Sequence, residues 1–209
     1  MRIRQTIKIL SKKYPSKGIT TLNRMRTKPN AFKILISCLL SLRARDENTK
    51  KVSEQLFKVA KTPKEIIKLP IKKLEKLIFS SGHYHKKARA LQHVSKEILK
   101  KFKGKVPKTR EELMSIKGIG PKTANIVLAF AYGQCVIPVD VHVHVIANRL
   151  GWIKTKTAEK SEPELMKIIP KEYCANLNSI LVQFGRDLCI TISPKCSICP
   201  LKKSCPRIG

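Results

Sequence analysis

The sequence predicts an all-α protein, and three observations support that prediction. Apolar residues recur every three or four positions along most of the chain, which is the spacing of the buried face of a helix. Helix start signals precede several of these runs, the clearest being the capping box of Thr62 and Glu65 with Pro63 at the first helical position. Glycines such as Gly82 and Gly104 fall where runs end.

In chain order, helices are expected after Asn30, Thr62, Pro70 and Thr109, and a further capping box is predicted at Ser161 and Glu164. The apolar positions that define four of the runs are Phe32, Leu35, Ile36, Leu39 and Leu40; Val52, Leu56 and Val59; Leu74, Leu77 and Ile78; and Ala88, Leu91, Ile98 and Leu99. We find no internal repeat and no low-complexity linker.

One segment has the period of a strand. Four valines, from Val139 to Val145, alternate with Asp140, His142 and His144. No partner strand is predicted elsewhere, and a lone strand is not stable. Asp140 is also a favourable N-cap residue, and Gly151 suits the end of a helix. We therefore expect a helix from Asp140 to Leu150.

The chain is strongly basic, with a formal net charge of +30 from 44 Lys and Arg residues against 14 Asp and Glu residues. Such a charge favours a polyanionic partner, and nucleic acid is the commonest one. Lysine predominates over arginine, which suits phosphate steering more than base reading. The alternative is a basic surface with no specific partner.

Neither a membrane span nor a secretory signal is predicted. No apolar stretch approaches 18 residues, and Lys8 interrupts the short apolar patch near the start. An intracellular location, in the cytoplasm or nucleoid, is expected. Because thiols stay reduced there, clustered cysteines indicate a metal site more than disulfides.

Four of the seven cysteines lie in the last 21 residues, in the pattern C-x6-C-x2-C-x5-C formed by Cys189, Cys196, Cys199 and Cys205. Four thiolates at this density can bind zinc or an iron–sulfur cluster. The ligand type alone leaves both open, although zinc sites usually contain two C-x2-C pairs. The other three, Cys38, Cys135 and Cys174, are expected to be small core residues.

A glycine-containing turn lies between two predicted helices. Gly118 and Gly120 permit a tight turn and a close approach to the backbone, and Pro121 suits the first position of the helix that follows. Backbone amides at such a helix start can hold a phosphate without reading sequence. An ordinary turn is the alternative.

The cysteine pattern, the segment Gly118 to Ala124 and the segment Val139-Asp140-Val141-His142 together resemble the endonuclease III family of helix–hairpin–helix DNA glycosylases. The resemblance extends over roughly residues 20 to 206. It implies a two-lobed all-α glycosylase fold with a C-terminal iron–sulfur cluster loop: a six-helix lobe at about 25–132 that contains the hairpin, and a second lobe that combines 1–24 with 133–209.

The resemblance also implies roles for individual residues. Lys122 matches the nucleophilic lysine, and its place in the first turn of a helix disfavours the ammonium form. Asp140 matches the essential aspartate, would face Lys122 across a cleft, and would take up the amine's proton. His142 matches a supporting histidine. A structural [4Fe–4S] cluster on the four cysteines is implied, in a loop whose Lys195, Lys202 and Lys203 touch duplex DNA.

The expected reaction removes an oxidised or ring-saturated pyrimidine from duplex DNA and then breaks the strand by β-elimination. The damaged nucleotide is flipped out, and Arg43 would fill the gap that it leaves. The loop that carries Arg43 is therefore a wedge loop, which enters the duplex at the flipped nucleotide. His83 lies in a second candidate wedge loop, at a position where the family often has an apolar residue. Surface turns without a DNA role are the alternative for both loops.

Two other functions fit parts of the sequence. A monofunctional mismatch glycosylase of the same superfamily usually lacks a lysine at the position of Lys122. A non-catalytic helix–hairpin–helix DNA-binding module would need neither the pair of Lys122 and Asp140 nor a cluster. We expect a monomeric bifunctional glycosylase and lyase with no membrane partner.

Overall fold

The computed structural model describes residues 2–15 and 20–206, and every regular element in that part of the chain is helical. The α-helices are α1 (Ile3–Lys13), α2 (Thr21–Met25), α3 (Ala31–Ser41), α4 (Asp46–Val59), α5 (Pro63–Lys68), α6 (Ile71–Leu77), α7 (Tyr84–Phe102), α8 (Arg110–Met114), α9 (Pro121–Tyr132), α10 (Val141–Arg149), α11 (Ala158–Ile168) and α12 (Cys174–Asp187). Short 3-10 helices lie at Phe79–Ser81, Lys171–Tyr173 and Cys196–Ile198. The all-α prediction is confirmed. Within the described residues, no helix is both long and apolar enough to cross a membrane.

The described chain forms two compact units, one of residues 20–132 and one of residues 2–15 with 133–206. Helix α3 is central to the first unit, where Ile34, Leu35 and Ile36 are fully buried. It packs against α4 and α9, and α7 packs against α5 and α6. A helix that is apolar on every side is stable in water only when neighbours cover it in this way.

Helix α12 is central to the other unit and packs against α1 and α10. The Tyr14 hydroxyl donates a 2.6 Å hydrogen bond to Asp187, and the Gln183 side chain donates a 3.0 Å bond to the carbonyl of Pro15. Burial, followed by the Asp187 carboxylate, raises the pKa of Tyr14 well above its usual range. These bonds fasten the end of α1 to α12.

The segment of alternating valines is the helix α10, as predicted. The Asp140 side chain accepts a 3.0 Å hydrogen bond from the amide of Val143, which satisfies a backbone donor at the start of the helix. Gly151 lies just beyond the end with φ +66°. Local capping, and not the two-residue period, therefore determined the structure of this segment.

The predicted capping box at Ser161 and Glu164 is wrong. Helix α11 begins at Ala158, and its cap is Thr157, whose hydroxyl accepts a bond from the amide of Lys160. Ser161 lies one turn inside the helix, and its hydroxyl donates a 3.0 Å bond to the carbonyl of Thr157. Serine makes such bonds to the carbonyl four residues earlier when a helix already has a start.

The expectation for two of the isolated cysteines is incomplete, because Cys174 is buried in the core, as expected, but is also bonded to another cysteine. Cys135 and Cys174 form a disulfide, with Cα atoms 5.1 Å apart. The pairing connects the segment after α9 to the first residue of α12, a proximity that arises only when the second unit folds. Cys38 is a buried residue of α3, as expected, and neither it nor any of the four C-terminal cysteines forms a disulfide.

Candidate active site

The hairpin between α8 and α9 is held by apolar contacts and presents its glycines outward. Ile116 and Ile119 are buried, and the amide of Ile119 donates a 3.0 Å bond to the carbonyl of Ile116. Gly118 has φ +100°, a conformation that strains residues with a Cβ. A Cβ on either Gly118 or Gly120 would meet nothing within 4 Å. The backbone of this turn is therefore open to an external ligand.

Lys122 is the second residue of α9 and lies directly after this turn. Its side chain is exposed, whereas the next two residues, Thr123 and Ala124, are buried against the rest of the unit. The first turn of α9 contains no acidic residue. Burial raises the pKa of the Cys38 thiol, and the hydrogen bond with Thr123, followed by the nearby charge of Lys122, partly offsets that rise.

A pocket in the same unit brings together three residues singled out from the sequence. Arg43, His83 and Gly118 all line it. The remaining lining residues are Leu39, Leu42, Lys86, Lys87 and Ala90. Among the described residues that form this pocket, none is acidic, so its charge favours an anion.

The loops that carry Arg43 and His83 both have unusual backbone conformations. Arg43 has φ +53° and His83 has φ +48°, in the left-handed region. Few residues other than glycine adopt that region without support from the surrounding structure. Both side chains are exposed at the pocket. The two predicted wedge loops are therefore neighbours with defined geometry.

Lys87 is a residue of this pocket that the sequence reasoning missed. Its side chain is buried, and its Nζ donates 2.7 Å hydrogen bonds to the carbonyls of Leu40 and Ser81. Burial lowers its pKa. A signal was present in the sequence, because Lys87 precedes the buried Leu91 by four residues and so occupies the apolar face of α7.

Asp140 and His142 lie in the other unit, at the start of α10. Asp140 is half-buried and caps the helix, and the segment before it is fixed by Asn178, which donates a 2.7 Å bond to the carbonyl of Pro138. The ring of His142 packs on Gly185, where an added Cβ would lie 2.6 Å from its Nδ1. That nitrogen is buried and has no hydrogen-bond partner among the described residues.

The four C-terminal cysteines line one pocket. Cys189, Cys196, Cys199 and Cys205 share it with Phe184, Leu188, Leu201 and several other residues, mostly through apolar surface. Lys195 and Lys202 also line it, and Lys195 and Lys203 are exposed. Across residues 2–15 and 20–206, however, no group of three or more His, Cys, Asp or Glu side chains is arranged as a metal-binding group.

Arg149 fastens the loop that carries these cysteines. Its guanidinium donates bonds of 2.9 Å to the carbonyl of Ile190 and 2.6 Å to that of Thr191, and it lies 3.7 Å from the sulfur of Cys189. Burial raises the pKa of the Cys189 thiol, and Arg149 opposes this effect. The thiols thus lie in a mostly apolar, partly exposed pocket beside a fixed cation.

Comparison with known proteins places these features in a family. Residues 36–171 match the family model described as HhH-GPD superfamily base excision DNA repair protein. The chain is 44% identical over 183 residues to endonuclease III of Thermotoga maritima, which covers 88% of this chain and 85% of that protein.

Solved structures agree. The structure of a trapped endonuclease III–DNA covalent intermediate is similar with a TM-score of 0.87 and 36% identity, over 98% of this chain and 94% of that one. A thermostable thymine-DNA glycosylase has a TM-score of 0.85 over 99% and 96% of the two chains, and its 22% identity establishes only a shared fold.

The class that these observations define is that of helix–hairpin–helix glycosylases of base excision repair. The chain belongs to the endonuclease III family of the HhH-GPD superfamily, and it is a bifunctional DNA glycosylase and abasic-site lyase. The family assignment made from the cysteine spacing and the hairpin is confirmed.

Proposed function

We propose that this enzyme removes oxidised or ring-saturated pyrimidines from duplex DNA through an imine formed by Lys122. The observation that carries the proposal is the position of Lys122. It is an exposed amine in the first turn of α9, directly after a hairpin turn whose glycines face open space. The substrate class follows from the resemblance to the family.

The reaction proceeds by substitution at the sugar. The neutral amine of Lys122 attacks C1′ and forms a C–N bond, while the glycosidic bond breaks and the base leaves with the bonding electron pair and then a proton. The sugar ring opens to a protonated imine. The proton on C2′ then passes to water, the electrons of that C–H bond form a carbon–carbon double bond conjugated with the iminium, and the 3′ phosphate leaves with its bonding electron pair, which breaks the strand. Elimination is possible because the iminium accepts the electrons of the broken C–H bond.

Asp140 has two roles in this proposal. Its carboxylate takes up the proton of the attacking amine and stabilises the positive charge that develops on the sugar as the base leaves. It also caps α10, and the two roles are compatible because a cap uses only one carboxylate oxygen. His142, wedged against Gly185, supports the start of α10.

DNA binding would use surfaces in both units. The amides around Gly118 and Gly120 hold a phosphate, and the side chains of Arg43 and His83 enter the duplex where the nucleotide is flipped out. Lys195, Lys202 and Lys203 would contact the phosphates of the DNA backbone as point charges. The related structure of an endonuclease III–DNA covalent intermediate supports duplex DNA as the partner. We expect the enzyme to act as a monomer. We expect it in the cytoplasm or nucleoid, because its DNA substrate lies there.

We propose further that Cys189, Cys196, Cys199 and Cys205 hold a [4Fe–4S] cluster. Four cysteine sulfurs that line one pocket fit such a group, and the pocket's apolar sides would shield it from water. When bound, the cluster would cross-link the C-terminal loop and supply no chemistry to the sugar.

We also propose that the enzyme has two lobes, one of about residues 25–132 and one that combines residues 1–24 with 133–209.

Borohydride trapping on abasic-site duplex DNA tests the nucleophile. Hydride reduces the imine to a stable amine, so the wild type should become covalently attached to the DNA. Lys122→Ala should form no adduct. Lys117→Ala is the matched control, since it removes an exposed lysine of the same hairpin, and it should form the adduct normally. Base release by the wild type without any adduct would show a monofunctional glycosylase.

Elemental analysis tests the cluster. The purified protein should contain about four iron atoms and four sulfides and should absorb visible light, as thiolate-bound clusters do. Replacing Cys199 with serine should lower the iron content, whereas replacing Cys38 should leave it unchanged. Zinc in place of iron would refute the assignment.

A further inference from the structure

Lys87 joins two loops that are distant in sequence. Its ammonium group donates to the carbonyl of Leu40, in the last turn of α3, and to the carbonyl of Ser81, at the end of the 3-10 helix before Gly82. Both bonds are 2.7 Å long, and the side chain is only 8% exposed. A buried ammonium is unfavourable unless its protons are hydrogen-bonded. The two carbonyls therefore fix where Lys87 lies, and Lys87 fixes the carbonyls.

The first of these carbonyls is a natural partner for a cation. The last carbonyls of an α-helix have no partner within the helix and carry the negative end of its dipole. Leu40 is the residue before Ser41, where α3 ends. The loop with Arg43 begins at that point, so the charge of Lys87 stabilises the start of the loop.

The second carbonyl, that of Ser81, lies at the start of the loop that carries His83. Ser81 is separated from His83 only by Gly82, whose φ is +68°. The backbone then remains left-handed at His83. Since Arg43 is left-handed as well, each loop contains a residue whose conformation must be held by its surroundings. Lys87 bonds to the backbone at the start of both loops.

We infer that Lys87 is a positioning residue that sets the spacing between Arg43 and His83 in the DNA-binding pocket. All three residues line that pocket. Lys87 is buried, and it acts through the backbone of the two loops. The inference rests on the proposed DNA-contact role of Arg43 and His83.

A double-mutant cycle tests the inference. Binding to duplex DNA with a reduced abasic-site analogue is measured for wild type, Lys87→Met, Arg43→Ala and the double variant. Each single change should weaken binding by roughly tenfold, and the double variant should be little weaker than either, because residues that act as one unit are non-additive. If Lys87 had a purely structural role, Arg43→Ala would weaken DNA binding by the same factor in Lys87→Met as in the wild type.

Kinetics provide a second measurement. With Lys87→Met the half-saturating DNA concentration for adduct formation should rise about tenfold, and the rate at saturating DNA should stay within about twofold of wild type. Lys96→Met is the matched control, because it removes an exposed lysine of the same helix. Lys87→Arg, which retains the charge and several donors, should restore most of the binding.

The outcomes separate the inference from the function on which it rests. If Arg43→Ala and His83→Ala bind like wild type, the proposed contact role fails, and the inference fails with it. If both weaken binding but their effects add to that of Lys87→Met, the inference alone is overturned. Should Lys87→Met not fold, Lys87→Gln takes its place in the cycle, since its amide can still donate to one carbonyl.

Discussion

The starts of helices α9 and α10 are built in opposite ways. Helix α10 is capped from within, because the Asp140 side chain accepts a bond from the amide of Val143. At the start of α9 stands Gly120, which has no side chain to act as a cap, and the first turn contains Lys122 and no acid. Helix α10 is thus capped by one of the protein's own carboxylates, whereas α9 begins at a glycine and has a lysine in its first turn.

The segments that lead into these helices differ in the same sense. The hairpin before α9 is anchored by the burial of Ile116 and Ile119. The segment before α10 is cross-linked to α12 by the disulfide of Cys135 and Cys174, and Asn178 bonds to its Pro138 carbonyl. Backbone amides would therefore bind a phosphate at the start of α9 in the proposed function, whereas at the start of α10 they hold the structure together.

The largest expected effect is that of salt concentration on DNA affinity. If six to ten phosphates are contacted, raising the salt from ~50 to ~200 mM should weaken DNA binding by ~10³–10⁵. Lys195→Gln, which removes one proposed contact with the DNA backbone, should reduce the slope of log affinity against log salt by about 0.9 if that lysine contacts one phosphate. Fluorescence anisotropy with labelled duplex measures both. A flat salt response would show that the charge of +30 does not serve DNA binding.

Asp140 allows the capping and catalytic roles to be separated. Asn is as good a cap as Asp, so Asp140→Asn should preserve α10 and yet slow base release by ~10²–10⁴, the usual contribution of a general acid or base. Asp140→Ala should show the same rate loss and in addition lose about 1 kcal/mol of stability. Single-turnover kinetics and urea unfolding measure the two effects. If Asp140→Asn released the base at the wild-type rate, Asp140 would have only its capping role and no role in catalysis.

Local chemistry explains which parts of the molecule were predictable. The cap at Asp140 acts over three residues, so the sequence identifies it directly, and it correctly overrode the strand-like period of the valines. The capping box at Ser161 failed although its pattern was present, because Thr157 had already begun the helix four residues earlier. A cap is recognisable from sequence, but competition between two caps is decided by packing.

Contacts between distant residues explain what was missed. Cys135 and Cys174 are 39 positions apart, and nothing in their local sequence indicates that they meet. The position of Lys87 on the apolar face of α7 indicates burial, but nothing in its local sequence indicates the two carbonyls that it binds. Only the folded unit shows that the end of α3 and the loop before α7 approach it from two sides. The arrangement of Arg43, His83 and Gly118 around one pocket was likewise beyond a pattern-based prediction.

Reduction of the disulfide should affect one helix start and not the other. Closing a loop of this length stabilises a fold by about 4 kcal/mol in the chain-entropy estimate. Reduced wild type and the variant with Ser at positions 135 and 174 should therefore lose similar stability. Amide hydrogen exchange should accelerate in residues 133–140, whereas the hairpin at 115–120 should exchange as before. Equal acceleration in both segments would contradict the separation of the two regions.

The smallest effects are expected from the two hairpin glycines, and they differ in kind. Gly118→Ala forces a Cβ into φ +100°, which should lower the free energy of unfolding by roughly 1–2 kcal/mol. Gly120 is not in the left-handed region, and its Cβ would meet open space, so Gly120→Ala should change stability by less than about 0.5 kcal/mol. Its methyl group would nevertheless stand between the backbone and a bound phosphate, so DNA affinity should fall about tenfold, or ~1.4 kcal/mol. Unchanged affinity in Gly120→Ala, with its stability intact, would show that phosphate does not approach the start of α9 at Gly120.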